Sequence, residues 1–385
     1  MIKKTLRKIF GHPYQNLNLI EVSRSALLNN YHFFKRLNPK VKICPTLKSN
    51  AYGHGLKLIA QFIDQEIKAP FIAVDSLYEA YELEKIKIKT PILIIGYTFP
   101  KNFKIKKKLK FTFPAYDQET IKILDKYQPE AKIHIKVDTG MNRLGIKPEQ
   151  IRDFIKSLKK IKRVQVTGIY SHLAQASDPQ GKSFTKKQIK TFKEVIKIFE
   201  QEGFKFKWKH IAATAGSIQI KDPEFNLSRI GLGFYGISPF PEKSKLNQIL
   251  KKSLKPALKL SSHIIQIKTI NPKEQVGYNG TFTAKKKTKI GILPLGYYDG
   301  LDCRLSNKGM IKIKEKYCPI VGNICMNLTA INLNNVRHTR VGDKVTIYNN
   351  KTSSLNSIIN SAKKVKTSPY NLLTNLSETT RRILI

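Results

Sequence analysis

The sequence is poor in acidic residues. Its 385 residues include 27 aspartates and glutamates against 70 lysines and arginines, which gives a formal charge of +43. A positive surface could attract nucleic acid or anionic lipid, because bound phosphates release their counterions. The lysines, however, occur in short groups along the whole chain, such as KIKKKLK and AKKKTK, interleaved with isoleucine. This pattern favours solvated faces over one binding stripe, so we expect no specific nucleic-acid partner.

Cysteine and long apolar runs are also scarce. The four cysteines form no CxxC pair and no zinc-site spacing with histidine: Cys44, Cys303, Cys318 and Cys325. We therefore expect neither a metal site nor a disulfide framework. This cysteine usage fits a reducing compartment, and we expect the protein to be cytoplasmic. No long apolar run follows the basic opening MIKKTLRKIF, so we expect neither a secretory signal nor a membrane anchor, and we interpret residues 1–16 as a loose N-terminal extension.

The chain is long and apolar enough for two folded domains, since 41% of its 385 residues are hydrophobic. From about residue 17, short strand-like runs alternate with amphipathic helical stretches, the pattern of parallel β/α units. Eight strand candidates occur: KICPTL, PFIAVDS, PILIIGY, KFTFPAY, AKIHIKVDTG, VQVTGIYSH, KWKHIAAT and LSRIGLGFYG. Eight units in roughly 220 residues predict an α/β fold, with a (β/α)8 barrel over residues 17–245 rather than an open sheet.

After about residue 245 the pattern changes. Short alternating strands are separated by Gly, Asn and Pro turns, as in LKLSSHIIQIKTI, TKIGILPLGY, GMIKIKEKYCPIVG and KVTIYNN. We predict a C-terminal, mostly antiparallel β domain at residues 246–385, with a helical segment around residues 352–363. Within the barrel, the short, lysine-rich connection between the third and fourth strands fits the β/α pattern least.

In a (β/α)8 barrel the active site lies at the C-terminal ends of the strands, and a lysine stands at the end of the first. Lys48 directly follows KICPTL, in the stretch PTLKSNAYGHG. Partial burial there would disfavour the charged form and leave an amine that can attack a carbonyl group. An ion pair with a carboxylate at the rim explains the position equally well.

Other polar groups stand at later strand ends: Arg143, His172, Thr214, Arg229 and the glycine-rich stretch Gly231–Gly233. Thr214 and the glycines follow the seventh and eighth strands, where barrels often bind phosphate through backbone N–H groups. Taken singly, His172 could be a hydrogen-bonded core histidine and Arg229 a structural ion pair. Together with Lys48, these groups are what a pyridoxal phosphate enzyme needs.

Five motifs occur in the order and spacing of one enzyme family: LKSNAYGHG, KVDTGMNRLG, VGYNGTFTA, LPLGYYDG and VGNICMN. On these motifs the chain, from about residue 17 to its C-terminus, resembles the alanine racemases, which are fold-type III pyridoxal phosphate enzymes. The resemblance implies an isomerase that interconverts L-alanine and D-alanine for peptidoglycan, with pyridoxal 5'-phosphate as its cofactor. It also implies a head-to-tail homodimer whose active sites are shared between the chains.

The resemblance implies two acid/base residues on opposite faces of the substrate. Lys48 would bind the cofactor covalently and exchange the Cα proton on one face, and Tyr278, in VGYNG, would do so on the other face from the partner chain. A free phenol is a weak base near neutral pH, and His172 is the implied neighbour that stabilises the phenolate. Without the resemblance, Tyr278 would be interpreted as a packed hairpin residue.

Further residues are implied to hold the cofactor and the substrate. Arg229 would meet the pyridine nitrogen; because it stays protonated, it donates a hydrogen bond but no proton, which favours proton exchange over transamination. Arg143 would contact the phenolic oxygen, and Lys136 matches a lysine that many members carbamylate, with a plain ammonium as the alternative. The implied phosphate contacts are Tyr52, Thr214, Gly231 and Leu232. The implied substrate contacts are Arg143, the backbone N–H of Met326, and Tyr297 at the entrance.

Three positions depart from the family pattern. Asn327 stands where many members have aspartate, Thr214 replaces a commoner serine but keeps a hydroxyl, and Glu378 lies about where some members have a gate tyrosine. A carboxylate repels phosphate, so we expect Glu378 to point away from it. The altered gate leaves a broader racemase, for serine or basic amino acids, as a second hypothesis. A non-catalytic cofactor-binding or nucleic-acid-binding protein is the third.

Overall fold

The computed structural model describes residues 15–385, so the predicted N-terminal extension lies outside the described residues except for its last two. The chain divides into two units. The first comprises Ser23–Ala257, and the second comprises Leu258–Ile385 together with the strand β1 (Leu19–Val22). Each unit matches one of the two predicted fold types.

Eight parallel strands of the first unit lie within the eight predicted runs and confirm the barrel. They are β2 (Lys42–Pro45), β3 (Ile72–Val74), β4 (Ile92–Ile94), β5 (Thr112–Ala115), β6 (Lys132–Lys136), β7 (Gln165–Tyr170), β8 (Trp208–His210) and β9 (Leu227–Ile230). Strands β3 to β8 form a parallel sheet in chain order, and β2 pairs with β9. A bridge between Thr46 and Ala73 joins β2 to β3, and the N–H of Arg229 donates to Ala212 O at 3.0 Å beside β8. The sheet therefore closes on itself.

Helices connect most of these strands. They are α1 (Arg24–Leu37), α2 (Leu56–Phe62) with a following π turn (Ile63–Ile67), α3 (Leu77–Lys85), α4 (Gln118–Tyr127), α5 (Ile151–Lys159), α6 (Lys182–Gln201), α7 (Thr214–Gln219) and α8 (Lys245–Ser253). Four begin at a side chain that accepts the N–H three residues later: Ser23, Ser76, Asp117 and Ser244. Within residues 15–385, no helix is long and apolar enough to cross a membrane.

The connection between β4 and β5, which fitted the sequence pattern least, contains a 3-10 turn at Pro100–Lys104 where its neighbours have an α-helix. Two apolar side chains, Phe103 and Leu109, anchor this lysine-rich segment in the core. The side chain of Gln128 donates to Phe103 O at 2.6 Å and accepts from Leu109 N at 2.8 Å. Burial and one amide side chain therefore hold the segment.

The barrel strands are buried on both faces, which explains their continuous apolar runs. Every residue of β3, β4 and β5 is buried. One interior cluster consists of Cys44, Phe71, Ala73, Leu93 and Leu227, with Ile95 and Trp208 packed against it. This packing fixes the positions of the strand ends, where the polar residues lie.

The division between the units falls later than the sequence suggested. We placed it after residue 245, whereas residues 246–257 belong to the first unit. The reason is hydrogen bonding across a long sequence separation: Lys255 N donates to Asn30 Oδ1 at 2.8 Å, and Ala257 N donates to Tyr235 O at 3.1 Å. These contacts hold the segment after α8 on the barrel.

The second unit is mostly antiparallel, as predicted. Its strands are β10 (Leu258–His263), β11 (Gln266–Ile270), β12 (Gln275–Val276), β13 (Phe282–Thr283), β14 (Thr288–Leu293), β15 (Met310–Ile313), β16 (Lys316–Pro319), β17 (Thr329–Asn332), β18 (Lys344–Tyr348) and β19 (Arg381–Leu384). One sheet has six strands in the order β16-β15-β18-β10-β1-β19. A second sheet has three strands in the order β11-β14-β17, and β12 pairs with β13 alone. Helix α9 (Ile358–Lys364) overlaps the expected helical segment, and α10 (Pro369–Thr374) was not predicted.

Strand β1 lies in the second unit, although the sequence pattern assigned its residues to the barrel. It pairs antiparallel with β10 and parallel with β19. Ile20 and Val22 are fully buried, whereas Glu21 pairs with Lys259 at 3.5 Å and with Lys344 at 3.2 Å. The alternation of apolar and polar residues in LIEV therefore reflects a half-buried strand of the β domain.

Candidate active site

A single turn follows the first barrel strand and joins two predicted site residues. Lys48 and Tyr52 lie at its ends, and Ser49, Asn50 and Ala51 between them have φ of 53–55°. This left-handed conformation costs an L residue about 1–2 kcal/mol. The N–H of Ala51 donates at 2.7 Å to the carbonyl before Lys48 and closes the turn. The turn therefore sets the spacing between the amine and the phenol.

Lys48 lies at the barrel mouth and is only weakly paired. Its Nζ is 3.9 Å from Oδ1 of Asp75, the residue that follows β3. The two side chains are 37% and 56% exposed, and an ion pair of this kind contributes little stability. The amine therefore has a neighbouring carboxylate but is not locked by it.

Arg229, in β9, is buried and held by neutral acceptors. Its guanidinium donates to Ser171 O at 2.9 Å, to Nδ1 of His172 at 3.0 Å and to Nδ1 of His210. Burial lowers the pKa of Arg229, yet a guanidinium keeps its proton in proteins. Because none of these acceptors is a carboxylate, the positive charge is hydrogen-bonded but not neutralised.

The bonds of Arg229 fix the tautomers of three histidines. A guanidinium only donates, so Nδ1 of His172 and of His210 must accept and Nε2 of each carries the proton. Nε2 of His210 then donates to Nδ1 of His134 at 2.9 Å, which leaves the proton of His134 on its buried Nε2. Burial, followed by Arg229, lowers the pKa of His134 and of His172 to about 3, and that of His210 well below its usual value. All three rings are therefore neutral at physiological pH.

Lys136, at the end of β6, is buried among cations. Its Nζ lies 3.3 Å from Ile95 O, and burial, followed by Arg229 and Arg143, lowers the pKa of Lys136 to about 8. A tight crevice is lined by Lys136, Arg143 and His172. The structure thus brings these three predicted residues together. With a pKa of about 8, the Lys136 amine is partly neutral near physiological pH.

Arg143 is positioned by a carboxylate turn. The side chain of Asp138 accepts the backbone N–H groups of four consecutive residues: Gly140, Met141, Asn142 and Arg143. Gly145 follows at φ 135°, and a Cβ there would lie 2.5 Å from the N of Asp138. The motif KVDTGMNRLG therefore folds into a turn that only glycine can close at this point.

The predicted phosphate residues form a cradle between the first and last strands. A Cβ on Gly231 would lie 2.4 Å from the hydroxyl oxygen of Tyr52, so this phenol reaches the glycine backbone. Thr214 Oγ1 accepts the N–H of Gly233 at 3.2 Å, and Leu232 is buried between the two glycines. Two hydroxyls thus meet a run of backbone N–H groups, a suitable donor set for phosphate.

In the second unit, three predicted site residues line one cavity of about 690 Å³. They are Tyr278, Tyr297 and Met326, and Asn327 also lines it. Tyr278 is 73% exposed and is the first residue of a 3-10 turn. The side-chain amide of Asn323 donates to the backbone carbonyl of Tyr278 at 3.0 Å. Glu378 is exposed and is not among the residues that line this cavity.

Sequence reasoning missed several residues that support the site. Asp75 is the last residue of PFIAVD, and its position at the end of an apolar run could have identified it. His134 and His210 stand inside predicted strands, where a histidine usually signals a structural bond. Tyr170 stacks on His210 with ring centroids 4.9 Å apart and lies 5.2 Å from the guanidinium carbon of Arg229. Only the closed barrel brings His210 and Tyr170 to Arg229 and His134 to His210.

Comparison with known proteins identifies the family. A model described as the N-terminal domain of alanine racemase matches residues 22–239, and one described as the C-terminal domain of alanine racemase matches residues 257–384. The chain belongs to the alanine racemase family. It is an enzyme of that family, and its two units correspond to the two racemase domains.

Individual racemases agree with this assignment. Alanine racemase 2 of Caldanaerobacter subterraneus subsp. tengcongensis is 32% identical over 372 residues, which cover 95% of this chain and 94% of the relative. Alanine racemase of Methanococcus maripaludis is 33% identical over 371 residues, covering 95% and 98%. The structure of alanine racemase from Clostridium difficile 630 aligns with a TM-score of 0.88 at 28% identity, covering 97% of this chain and 96% of that one. A Bacillus anthracis alanine racemase structure with bound L-Ala-P also has a TM-score of 0.88, at 29% identity over 97% and 96%.

Proposed function

We propose that the chain interconverts L-alanine and D-alanine with pyridoxal 5'-phosphate, and that it does so in the cytoplasm to supply D-alanine for peptidoglycan. The observation that best supports this is the charged donor Arg229, enclosed by neutral acceptors at the mouth where Lys48 lies. Burial lowers the pKa of His172, and the charge of Arg229 and, more weakly, that of Lys48 lower it further, so both cations lie near this ring. A site for an electron-accepting cofactor needs this pair of groups.

The cradle at the barrel mouth fits the phosphate of this cofactor. Tyr52 and Thr214 supply hydroxyl groups, and the backbone N–H groups of Gly231 and Leu232 would complete the set. The close approach of the Tyr52 hydroxyl to Gly231 leaves no room for a side chain at that position. Four cations around the mouth favour a dianionic ligand: Lys48, Lys136, Arg143 and Arg229.

The rest of the cofactor would be held by three of these cations. Lys48 would form the covalent bond, Arg229 would donate to the ring nitrogen, and Arg143 would donate to the phenolic oxygen. Pyridoxal phosphate, when bound, accepts electron density from the substrate and so acidifies its Cα proton. Arg229 cannot transfer a proton to the ring nitrogen, so the site limits how much charge the ring stores, which favours proton exchange over transamination.

Racemisation removes the Cα proton from one face of the substrate and delivers a proton to the other, so two proton-exchanging groups are the simplest design. We assign Lys48 to one face and Tyr278, from a second copy of the chain, to the other. His172 carries its proton on Nε2, because its Nδ1 accepts from Arg229, and can therefore donate to a phenolate oxygen. The ring stays neutral at pH 7 and supplies this hydrogen bond without itself becoming an acid.

Lys136 is proposed to be carbamylated and to hold Arg143. Burial among cations lowers the pKa of Lys136 to about 8, so an appreciable neutral fraction can react with CO2 near neutral pH. The resulting carbamate would carry a negative charge beside Arg143.

Alanine is the proposed main substrate, and the altered rim bears on how many others are accepted. Asn327 lines the same cavity as Met326, so an entry charge found in many relatives is replaced by a neutral amide. Met326 is proposed to donate its N–H to the substrate carboxylate, and Tyr297 to narrow the entrance. Initial rates with alanine, serine and lysine will decide breadth: comparable kcat/KM for all three would favour the broad-specificity racemase.

The test of the proposed function uses the purified chain and two variants. Wild type should show the visible absorbance of bound cofactor, lose it on borohydride reduction, and form D-alanine from L-alanine. Lys48→Ala should be colourless and inactive. Tyr278→Phe should keep the colour and lose racemisation in both directions, because the equilibrium constant between the enantiomers is one, whereas exchange of the Cα proton with solvent should persist mainly for one enantiomer. Mixing the two variants should restore about a quarter of the wild-type sites if dimers exchange at random.

Matched controls separate these losses from general damage. Lys57→Ala removes an exposed lysine that pairs with Glu82, and Tyr298→Phe changes the exposed tyrosine next to Tyr297; both should keep wild-type activity. A wild type that takes up no pyridoxal phosphate would refute the proposed cofactor. Mixed variants that remain silent would refute the shared site.

A further inference from the structure

Glu79, in the first turn of α3, ties together two backbone segments beside Lys48. Its Oε1 accepts the N–H of Ser49 at 2.6 Å, and its Oε2 accepts the N–H of Asp75 at 2.8 Å. Ser49 is the residue after Lys48, and Asp75 carries the carboxylate 3.9 Å from the Lys48 amine. One carboxylate therefore fixes both the lysine and its acidic neighbour.

These bonds are not those of an ordinary helix cap. Ser76 already caps α3, because its hydroxyl accepts the N–H of Glu79 at 3.1 Å. In a capping box, the carboxylate at the third helical position returns to the N–H of the cap residue itself. Here Glu79 instead reaches the residue before the cap and a separate loop. The carboxylate of Glu79 thus binds the turn that follows Lys48 and does not close the N-terminus of α3.

The turn that Glu79 holds is a disfavoured conformation. Ser49, Asn50, Ala51 and Tyr52 are four consecutive non-glycine residues with positive φ. Such backbone persists only where the surroundings over-determine it. Asn50 contributes from within the segment, its Oδ1 accepting the N–H of Leu56 at 2.7 Å. Glu79 contributes from outside, with a charged acceptor on the first N–H of the left-handed run.

We propose that Glu79 is a positioning residue, which holds the left-handed turn so that the Lys48 amine and the Tyr52 hydroxyl are correctly spaced before a ligand binds. The chemical class of that ligand is an aldehyde that bears a phosphate group. One end of the turn presents an amine that can react with the aldehyde, and the other presents a hydroxyl that can donate a hydrogen bond to the phosphate. This inference rests on the proposed function for its ligand. The pre-formed turn itself can be measured without one.

The central variant is Glu79→Gln in the full-length protein. Its amide retains one oxygen but points an NH2 group at a backbone N–H, so one of the two bonds is lost. Hydrogen exchange, followed by mass spectrometry on a peptide spanning residues 48–56 in protein freed of cofactor, should accelerate about tenfold or more. Pyridoxal phosphate should bind with a Kd raised by a similar factor of about ten. Glu79→Asp keeps the charge but shortens the side chain, and should give a smaller change in both.

Two control variants test whether the effect is specific. Asp125 also accepts two backbone N–H groups, at 2.6 Å and 3.3 Å, but ahead of β7, away from the carboxyl ends of the strands. Asp125→Asn should leave exchange at residues 48–56 and the Kd unchanged. Ser76→Ala weakens the cap of α3 and leaves the Glu79 bonds in place, so it should also leave both unchanged.

The outcomes distinguish this proposal from the proposed function. If both Glu79 variants fold but keep exchange rates and Kd within twofold of wild type, Glu79 is not a positioning residue. If Ser76→Ala accelerates exchange as much as Glu79→Gln, the effect comes from fraying of α3 and the proposal is wrong. If the wild type binds no pyridoxal phosphate, the proposed function fails, and the exchange data still decide whether Glu79 holds the turn.

Discussion

Acidification should destabilise the barrel through three buried histidines. His134, His172 and His210 are enclosed, and burial, followed by the charge of Arg229, lowers the pKa of each far below its usual value of 6.5. The unfolded chain therefore binds three more protons than the folded chain once the pH falls below about 6.5. Their contribution to stability is complete above that pH and is lost as the pH falls towards the folded-state values.

The size of the effect follows from linkage. Between pH 6.5 and pH 4.5, one histidine that stays neutral in the fold and titrates normally when unfolded removes about 2.3 kcal/mol from the free energy of unfolding. Three such residues remove about 7 kcal/mol, which is comparable with the whole stability of a typical domain. Carboxylates add to the loss in the same range, so a variant is needed to isolate the histidines.

Trp208 provides the signal for this measurement, because it is the single tryptophan, lies in β8 and packs against Phe71 at the barrel interior. Urea unfolding followed by its fluorescence, at pH 4.5 to 6.5, gives the slope of stability against pH. His134→Asn, whose amide oxygen can still accept from His210, should lower that slope by one proton whatever it does to absolute stability. His32→Asn, at an exposed position on α1, should leave the slope unchanged. Equal slopes for wild type and His134→Asn would refute the reasoning.

Two further predictions concern the cradle and Lys136. Gly231→Ala should raise the Kd for pyridoxal phosphate by about tenfold or more and leave β2–β9 pairing intact, because the new Cβ would lie 2.4 Å from the Tyr52 hydroxyl oxygen; an unchanged Kd, measured by cofactor absorbance, would contradict the cradle. Lys136 should give a carbamate carbon signal in ¹³C NMR of protein equilibrated with labelled bicarbonate. That signal should vanish in Lys136→Arg and fade below pH 7 as the amine becomes protonated; its persistence in Lys136→Arg would assign it elsewhere.

The barrel could be predicted because its information is local. Strand β2 lies in the mostly apolar run KICPTL, which ends directly before Lys48, and the glycines and small residues that follow it indicate a turn. Strand β1 could not be assigned in this way, because its partners β10 and β19 lie at the other end of the sequence. The alternation in LIEV is that of a half-buried strand, but these four residues do not show which strands they pair with.

The supporting groups of the site were hidden for the same reason. The sequence predicts that Arg229 stands near a strand end, but the acceptors His210 and His172 come from two other strands and are known only from the closed sheet. Glu79 stands three residues after Ser76, the spacing of a capping box, but its carboxylate accepts from Asp75, the residue before the cap, and from Ser49, 30 residues away in the sequence. Nothing in the sequence shows the bond to Ser49.

The choice of neutral partners for Arg229 explains much of the remaining electrostatics. A carboxylate at the position of His210 would accept the same hydrogen bond and would also cancel the charge of the guanidinium. Lys136 and His172 would then lose a cause of their lowered pKa values, since Arg229 follows burial as the second cause for both. Lys136 would be more fully protonated and less reactive towards CO2. His210 thus holds Arg229 in place without neutralising its positive charge. That charge then lowers the pKa values of Lys136 and His172.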